Sequence, residues 1–325
     1  MRGVILADNG IVISVIVPCY NQEDYVSECI ESILAQKTDF RYEILVGDDC
    51  SDDSTPEILK KYAEKYPDII KLYLNEKNLG ATANVYGLFR KAKGEYIAYL
   101  EGDDYWCCEN KLQIQYEYMK ANPELVACYH RVRLVDRDGR KKNGRIYWIR
   151  YKKRFSYGDI DGLRLPGHSS TWLRKNIMLE KETDYSVIYR FNKNIGDRTA
   201  MLYFLSKGDF GFIDEVMSCY RYVRTDGSVT TTVYSNPARA LKTEYDFICA
   251  LADFSEKDLK RPVDFDKRRR KLFFRLVCHC VLHPSDDVKQ LTRKVYDDYS
   301  NKALLVLSLI PEFFSYVFYK IFYLE

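Results

Sequence analysis

Residues 13–23 read ISVIVPCYNQE, and this stretch decides the fold. Ile13 to Val17 is apolar apart from Ser14, and Pro18 ends the run. An almost continuous apolar run of this length marks a strand buried on both faces, as in a parallel sheet covered by helices. Working outward, Val26, Ile30, Ile33 and Leu34 fall on one helical face. Glu43 to Val46 predicts a second strand. Ser54-Thr55-Pro56-Glu57 has the form of a capping box with an early proline, opening a helix to about Lys65. Ile69 to Leu74 predicts a third strand, and Ala81 to Lys93 a third helix with Gly94 as its C-cap. Tyr96 to Leu100 predicts a fourth strand. Strands alternating with helices of this length imply a mainly parallel sheet of right-handed βαβ units, an α/β fold.

The rhythm changes after about residue 125. Apolar runs shorten, and loops lengthen between Asp136 and Gly167. A helix is expected over Arg198 to Lys207, then strand-like segments at Phe210 to Val216 and Cys219 to Val223. Beyond about 235 the pattern is helical and basic. The expected division is a main domain over 1–235, with halves 11–125 and 126–235, and a helical extension over 236–325.

The chain has 325 residues, 46% hydrophobic and 30% charged, which is ordinary globular usage. A net charge of +3 argues against a protein that coats nucleic acid, although basic runs stand at 150–154 and 267–271. Ten cysteines are scattered without paired C-x-x-C spacing, which reads as reduced core residues. Cys278-x-Cys280 with His283 lacks the second ligand pair of a zinc site. Met1 to Asp8 is too short for a secretory apolar core, so the expected location is the cytoplasm. The apolar and aromatic stretch 303–324 is interrupted by Pro311-Glu312 and Lys320. It is a candidate for peripheral contact with the inner face of the cell membrane, for docking on the protein itself, or for a homodimer seam.

In open α/β sheets ligands bind beyond the carboxyl ends of strands. Those ends carry Pro18 to Glu23, Gly47 to Asp53, Asn75 to Gly80 and Glu101 to Asp104. Two carboxylate clusters at one sheet edge are costly unless a cation or hydrogen-bond donors offset them. Hard cations such as Mg²⁺ or Mn²⁺ prefer carboxylate and phosphate oxygens. The bland alternatives are a solvated turn at 48–53 and helix N-caps at Asp103, Asp104 and Asp197. An EF-hand is excluded by the lack of a mid-loop glycine and of Glu at position twelve. A dehydrogenase is disfavoured because no G-x-G-x-x-G follows the first strand. Trp106 and Trp172 read as packing residues.

ISVIVPCYNQEDYV, EILVGDDCSDDST, NEKNLGATAN and YIAYLEGDDYW, in this order and spacing, resemble the nucleotide-binding half of family 2 glycosyltransferases of the GT-A fold. A weaker resemblance runs to about residue 230. It implies an inverting transferase that moves a hexose or N-acetylhexosamine from a UDP-sugar, or less commonly a GDP-sugar, to a saccharide or lipid-linked acceptor. Pro18, Tyr20 and Glu23 then resemble the loop lining base and ribose, and Asp49 the carboxylate that accepts from the base, with Asp48 shaping its loop. Asn78, Gly80 and Asn84 resemble the segment near nucleotide and sugar. Asp103 and Asp104 resemble the metal-binding D-x-D element, with Glu101 at its first acidic position. Asp197 resembles the general base, although Gly196 stands where an acidic residue is usual. Ala83 stands where Arg is often found. Arg221 and Arg224 resemble a late segment closing over the diphosphate. His168, in Gly167-His168-Ser169-Ser170, reads either as a structural histidine or as a group on the acceptor side. The alternatives are a sugar-1-phosphate nucleotidyltransferase, which lacks its Gly-rich, Arg-bearing loop here, and a non-catalytic nucleotide-sugar-binding protein.

Overall fold

The computed structural model describes residues 10–144, 146–160, 164–177, 186, 192, 196–223 and 236–313. The chain divides into two compact units, one of residues 1–159 and 163–223, the other of 160–162 and 224–325.

The first unit is built on the run that opens the sequence. β1 spans Ile11–Cys19, and Val15, Ile16 and Val17 are wholly buried within it. Each such side chain stabilises the fold by roughly 2 kcal/mol. α1 (Val26–Leu34), β2 (Arg41–Asp48), α2 (Thr55–Lys65), β3 (Ile70–Leu74), α3 (Ala81–Phe89) and β4 (Tyr96–Tyr99) follow in the expected alternation. Next come β5 (Tyr105–Trp106), α4 (Lys111–Ala121), β6 (Ala127–Val135), β7 (Ile149–Arg150), β8 (Arg154–Phe155), β9 (Leu165–Pro166) and β10 (Leu173–Lys175). α5 (Asp197–Lys207) and β11 (Phe210–Arg221) complete the unit.

The main sheet has the order β3-β2-β1-β4-β10-β6-β11-β5, with β8 beside β11. It is parallel from β3 to β4 and between β6 and β11; β10 is inserted antiparallel to β4 and β6. This is the mainly parallel, helix-flanked arrangement the GT-A resemblance implies. One face packs Val15, Val17, Ile44 and Val46 with residues of α1 and α4, such as Cys29, Ile33, Leu112 and Met119. The other packs Ile16, Leu45 and Ile97 on Leu88 and Phe89 of α3.

Three local expectations are corrected. α3 stops at Phe89, and Gly94 is not its C-cap. A Cβ on Gly94 would stand 2.5 Å from the Ser14 amide nitrogen and 2.7 Å from the Ile13 carbonyl carbon, so the glycine serves a close backbone approach to β1. Ser54 makes no side-chain cap; Asp53 Oδ1 accepts from the Thr55 amide instead (2.9 Å). The two segments expected at 210–216 and 219–223 form one strand with register shifts between Ile213 and Ser218. Of the ten cysteines, all free, only Cys19, Cys29, Cys128 and Cys219 are buried. Trp106 and Trp172 are buried, as packing residues should be.

The second unit is helical: α6 (Pro237–Lys257), α7 (Asp266–Leu282), α8 (Asp286–Asp298) and α9 (Lys302–Leu307). Arg268 and Arg275 both pair with Glu244, and Arg270 donates to the Tyr299 hydroxyl (3.1 Å), so part of the basic run of α7 is engaged within the unit. Among the described residues no helix is long and apolar enough to cross a membrane.

Candidate active site

The loops that leave β1, β2, β3 and β4 meet at the carboxyl edge of the sheet. β1 stands between β2 and β4, which separates the ends of β2 and β4 by two strand spacings, about 10 Å.

The first three loops are stitched together. Asn21 takes φ +52°, and its Oδ1 accepts from the Asp52 amide (3.0 Å). The Asn21 amide donates to Ser51 Oγ (2.9 Å), and the Glu23 amide to Asp53 Oδ2 (3.0 Å). Glu23 returns a carboxylate oxygen to the Ser54 amide (2.9 Å). Its carboxylate therefore braces the second loop, in addition to any role beside a ribose. Pro18 is the last residue but one of β1, and its carbonyl accepts from the Gly102 amide (3.2 Å). Tyr20 projects from this edge and is 47% exposed.

Asp48 is buried and accepts from the amide and hydroxyl of Ser51, so it shapes its own loop. Asp49, equally buried, reaches the third loop. Its Oδ1 accepts from Asn75 Nδ2 (3.0 Å) and the Leu79 amide (2.9 Å), and its Oδ2 from the Gly80 amide (2.8 Å). Asn78 Oδ1 also accepts from Gly80, whose φ of +89° suits only glycine. Asn84 lies beneath, donating to the Gly47 carbonyl (2.8 Å) and accepting from Asn75 (3.2 Å). A Cβ on Gly47 would stand 2.5 Å from Asn84 Oδ1. Asn75 joins Asp49 to Asn84, a role the sequence reading did not assign.

The fourth loop differs. Asp104 Oδ1 accepts from the Arg221 amide (2.8 Å), while Asp104 Oδ2 and Asp103 Oδ1 are buried and have no hydrogen-bond partner among the described residues. Glu101 accepts from the Tyr99 hydroxyl (2.8 Å). Burial, then the charge of Asp103, pushes the Glu101 carboxyl up to about 7, with Asp197 adding to the rise. Burial raises Asp103 as well, and Arg221 opposes that rise. Asp104 is held well above the usual range by burial first, then by Asp103 and Glu101. This mutual influence brings Glu101, Asp103, Asp104 and Asp197 into one electrostatic neighbourhood.

Asp197 opens α5 behind Gly196, so it is not the N-cap. Its Oδ1 accepts from the Arg198 amide (2.8 Å), and its side chain is 28% exposed. Gly196 stands where an acidic residue was expected because a Cβ there would lie 2.7 Å from Thr82 Cγ2 of α3.

Arg221 is placed differently from the expectation of a diphosphate clamp. It is 5% exposed. Its Nε donates to the Asp103 carbonyl (2.9 Å), and Nη1 to the carbonyls of Asp136 (3.2 Å) and Arg137 (2.6 Å). Nη2 pairs with Glu28, and the guanidinium lies over the Tyr25 ring. It braces the acidic loop from behind. Sequence reasoning missed Glu28 and Tyr99, whose partners lie on other elements or carry no motif. Arg224 lies outside the described residues. His168 is buried, stacks on Tyr220 (centroids 4.3 Å apart), and sits 3.9 Å from Asp104 Oδ2. It thus adjoins the acidic loop. Burial lowers its pKa to about 4, and its Nδ1 faces Ser170 Oγ (2.7 Å).

The all-oxygen donor set, with two orphaned buried carboxylate oxygens, suits a hard divalent cation. Among the described residues no group of three or more His, Cys, Asp or Glu is arranged to hold a metal by itself. Asp103 and Asp104 would supply one or two ligands, the usual protein share for Mg²⁺ beside a phosphate.

Residues 14–179, just over half of the chain, match the sequence model of glycosyl transferase family 2. An uncharacterized protein of Mycobacterium tuberculosis is 41% identical over 128 residues, 39% of this chain and 37% of that protein. The putative teichuronic acid biosynthesis glycosyltransferase TuaG of Bacillus subtilis is 38% identical over 107 residues, 33% of this chain and 41% of that protein. These matches span less than half the length of either relative. In fold, the chain is similar to residues 1–349 of Staphylococcus aureus TarS, crystallised with UDP-GlcNAc: TM-score 0.58, 18% identity, 92% of this chain and 82% of that one. With the family pattern filling its strand-end loops and the GT-A architecture beneath them, this chain belongs to glycosyl transferase family 2.

Proposed function

We propose that the chain is an inverting, nucleotide-sugar-dependent glycosyltransferase that moves a hexose or N-acetylhexosamine from a UDP-sugar to a hydroxyl of a saccharide or lipid-linked acceptor. The observation that carries this reading is the gathering of Glu101, Asp103, Asp104 and Asp197 at one strand edge, with two buried carboxylate oxygens that meet no donor among the described residues. The relatives' part in wall polysaccharide synthesis suggests a surface polysaccharide as the product. The proposed location is cytoplasmic, and 236–325 is the proposed extension domain.

In this mechanism Tyr20 and the stitched loops after β1 to β3 seat the nucleotide. A Mg²⁺ or Mn²⁺ ion held by Asp103 and Asp104 would offset charge on the leaving diphosphate. Asp197, partly exposed beside Glu101, accepts the proton of the acceptor hydroxyl as its oxygen attacks the anomeric carbon. Arg221 fixes the acidic loop rather than touching the diphosphate.

The test is Asp197→Asn. Donor binding should persist within about threefold while transfer falls by about 10³, the scale of a lost general base. Equal transfer by the variant and the parent would remove Asp197 from the mechanism. Donor binding without transfer by the parent, across a broad set of acceptors, would favour a non-catalytic binding protein.

A further inference from the structure

Basic residues are concentrated in one segment of the first unit. Residues 131–154 hold eleven of the chain's 50 Lys and Arg but only two of its 47 Asp and Glu. That is a local excess of nine positive charges, against an excess of six negative charges over the rest of the chain.

The structure arranges part of this segment along the rim of the acidic site. β6 ends at Val135, and an ordered turn follows. Asp136 Oδ1 accepts from the amides of Asp138 (3.0 Å) and Arg140 (2.9 Å), and Gly139 takes φ +77°. The turn is strapped to the acidic loop twice. Arg221 donates to the carbonyls of Asp136 and Arg137 while its Nε holds the Asp103 carbonyl. The Tyr105 hydroxyl meets the Gly139 carbonyl at 3.5 Å. Arg131 and Arg133 lie on one face of β6, two residues apart, and lead up to this turn. From Arg131 to the end of β6 at Val135 the strand covers roughly 13 Å. Arg131, Arg137, Arg140, Lys152 and Arg154 have carboxylate partners in Asp214, Asp24, Asp138, Asp159 and Asp209. Arg133, Lys141 and Lys142 are exposed and have no carboxylate partner among the described residues. Tyr147, 72% exposed, adds an aromatic face to the same segment.

An acidic cluster at the reaction centre repels an anionic acceptor. A row of cations beginning at its rim and running away from it would offset that repulsion and would suit a chain of negative charges better than a single anion. We propose that this strip binds the acceptor as an anionic glycan, a polymer bearing repeated phosphodiester or carboxylate groups, whose terminal hydroxyl reaches the acidic site. The inference rests on the transferase reading above and adds the acceptor class.

The test measures binding of fluorescent poly(ribitol phosphate) and of a polyuronate to the full chain over a range of salt. Neutral dextran, a single-stranded oligonucleotide and phosphatidylglycerol vesicles are run in parallel. Arg133→Glu, Lys141→Glu and Lys142→Glu are combined in one variant. A control reverses Lys60, Lys61 and Lys65 on exposed α2, and thermal unfolding checks that both variants fold. The expected result is binding of at least one anionic glycan above dextran. That binding should weaken by about tenfold or more in the strip variant but not in the control. Its log–log salt slope should fall by about two, at roughly 0.7–0.9 for each phosphate no longer neutralised. Which polymer binds distinguishes phosphodiester from carboxylate. Equal binding by strip and control variants overturns the proposal, as does tighter binding of the oligonucleotide or the vesicles. UDP-sugar binding by the parent is measured separately, so failure here is distinct from failure of the transferase reading.

Discussion

The loops after β1, β2 and β3 and the loop after β4 share one sheet edge and many acidic residues, yet their hydrogen bonding is opposite. Asp48 spends its oxygens on Ser51 of its own loop, while Asp49, Asp53 and Glu23 accept from backbone amides and side chains of neighbouring loops. Asp103 and Asp104 each keep a buried oxygen with no hydrogen-bond partner among the described residues. Leaving a buried oxygen unsatisfied costs about 1–3 kcal/mol, and among the described carboxylates of the four loops only those of the fourth carry that cost; the orphaned oxygen of the first loop is the Gln22 amide Oε1. In the proposed mechanism the carboxylates of the first three loops are scaffold and those of the fourth meet the ligand.

That division can be broken by substitution. Asp103→Asn should lower transfer by about 10³ without lowering the unfolding temperature, since it removes a buried charge that gains little in the ligand-free fold. A variant that unfolds early would make Asp103 scaffold and erase the contrast. Lys111 is fully buried, donates to Gln115 and lies over the Trp106 ring, and burial lowers its pKa to about 7. Between pH 7 and 10 the unfolded chain therefore holds a proton that the folded chain has lost, so Lys111 makes stability rise with pH across that window, by up to about 4 kcal/mol. Denaturant titrations should find this slope reduced in Lys111→Met; identical slopes would contradict a neutralised lysine.

Asp49→Ala sharpens the comparison from the other side. It orphans the donors of Asn75, Leu79 and Gly80, so a loss of about 3 kcal/mol and an unfolding temperature lower by about 6–12 °C are expected. Unchanged stability would mean that the three bonds are not formed in solution. The smallest effect belongs to Tyr20→Ala at the exposed edge. Donor affinity should weaken by about fivefold, near 1 kcal/mol, at constant stability, as read by calorimetric titration.

The alternation from β1 to β4 was legible because each strand is an apolar run and each helix has a periodic face. The four polar strand ends were legible for the same reason, since the end of a run is where a loop begins. What escaped were pairings across long stretches of chain. Nothing near Arg221 reveals that its partners lie 118 residues back at Asp103 and 193 back at Glu28. β10 escaped because three residues are too few for a period, and its antiparallel insertion depends on β4 and β6. Gly94 reads as a helix cap until the backbone of β1 is seen against it. At Gly196 a local departure from the family pattern has a distant cause, the methyl of Thr82.

Calorimetric titration of UDP-sugars into the parent chain and into Asp103→Asn, with Mn²⁺ or Mg²⁺ and with chelator, reaches the central claim most directly. The account predicts binding by the parent that weakens at least about tenfold when the cation is removed, and a variant that binds weakly with or without it. Donor binding of equal strength in all four conditions would contradict the claim that the orphaned carboxylates of the fourth loop hold a cation against the diphosphate.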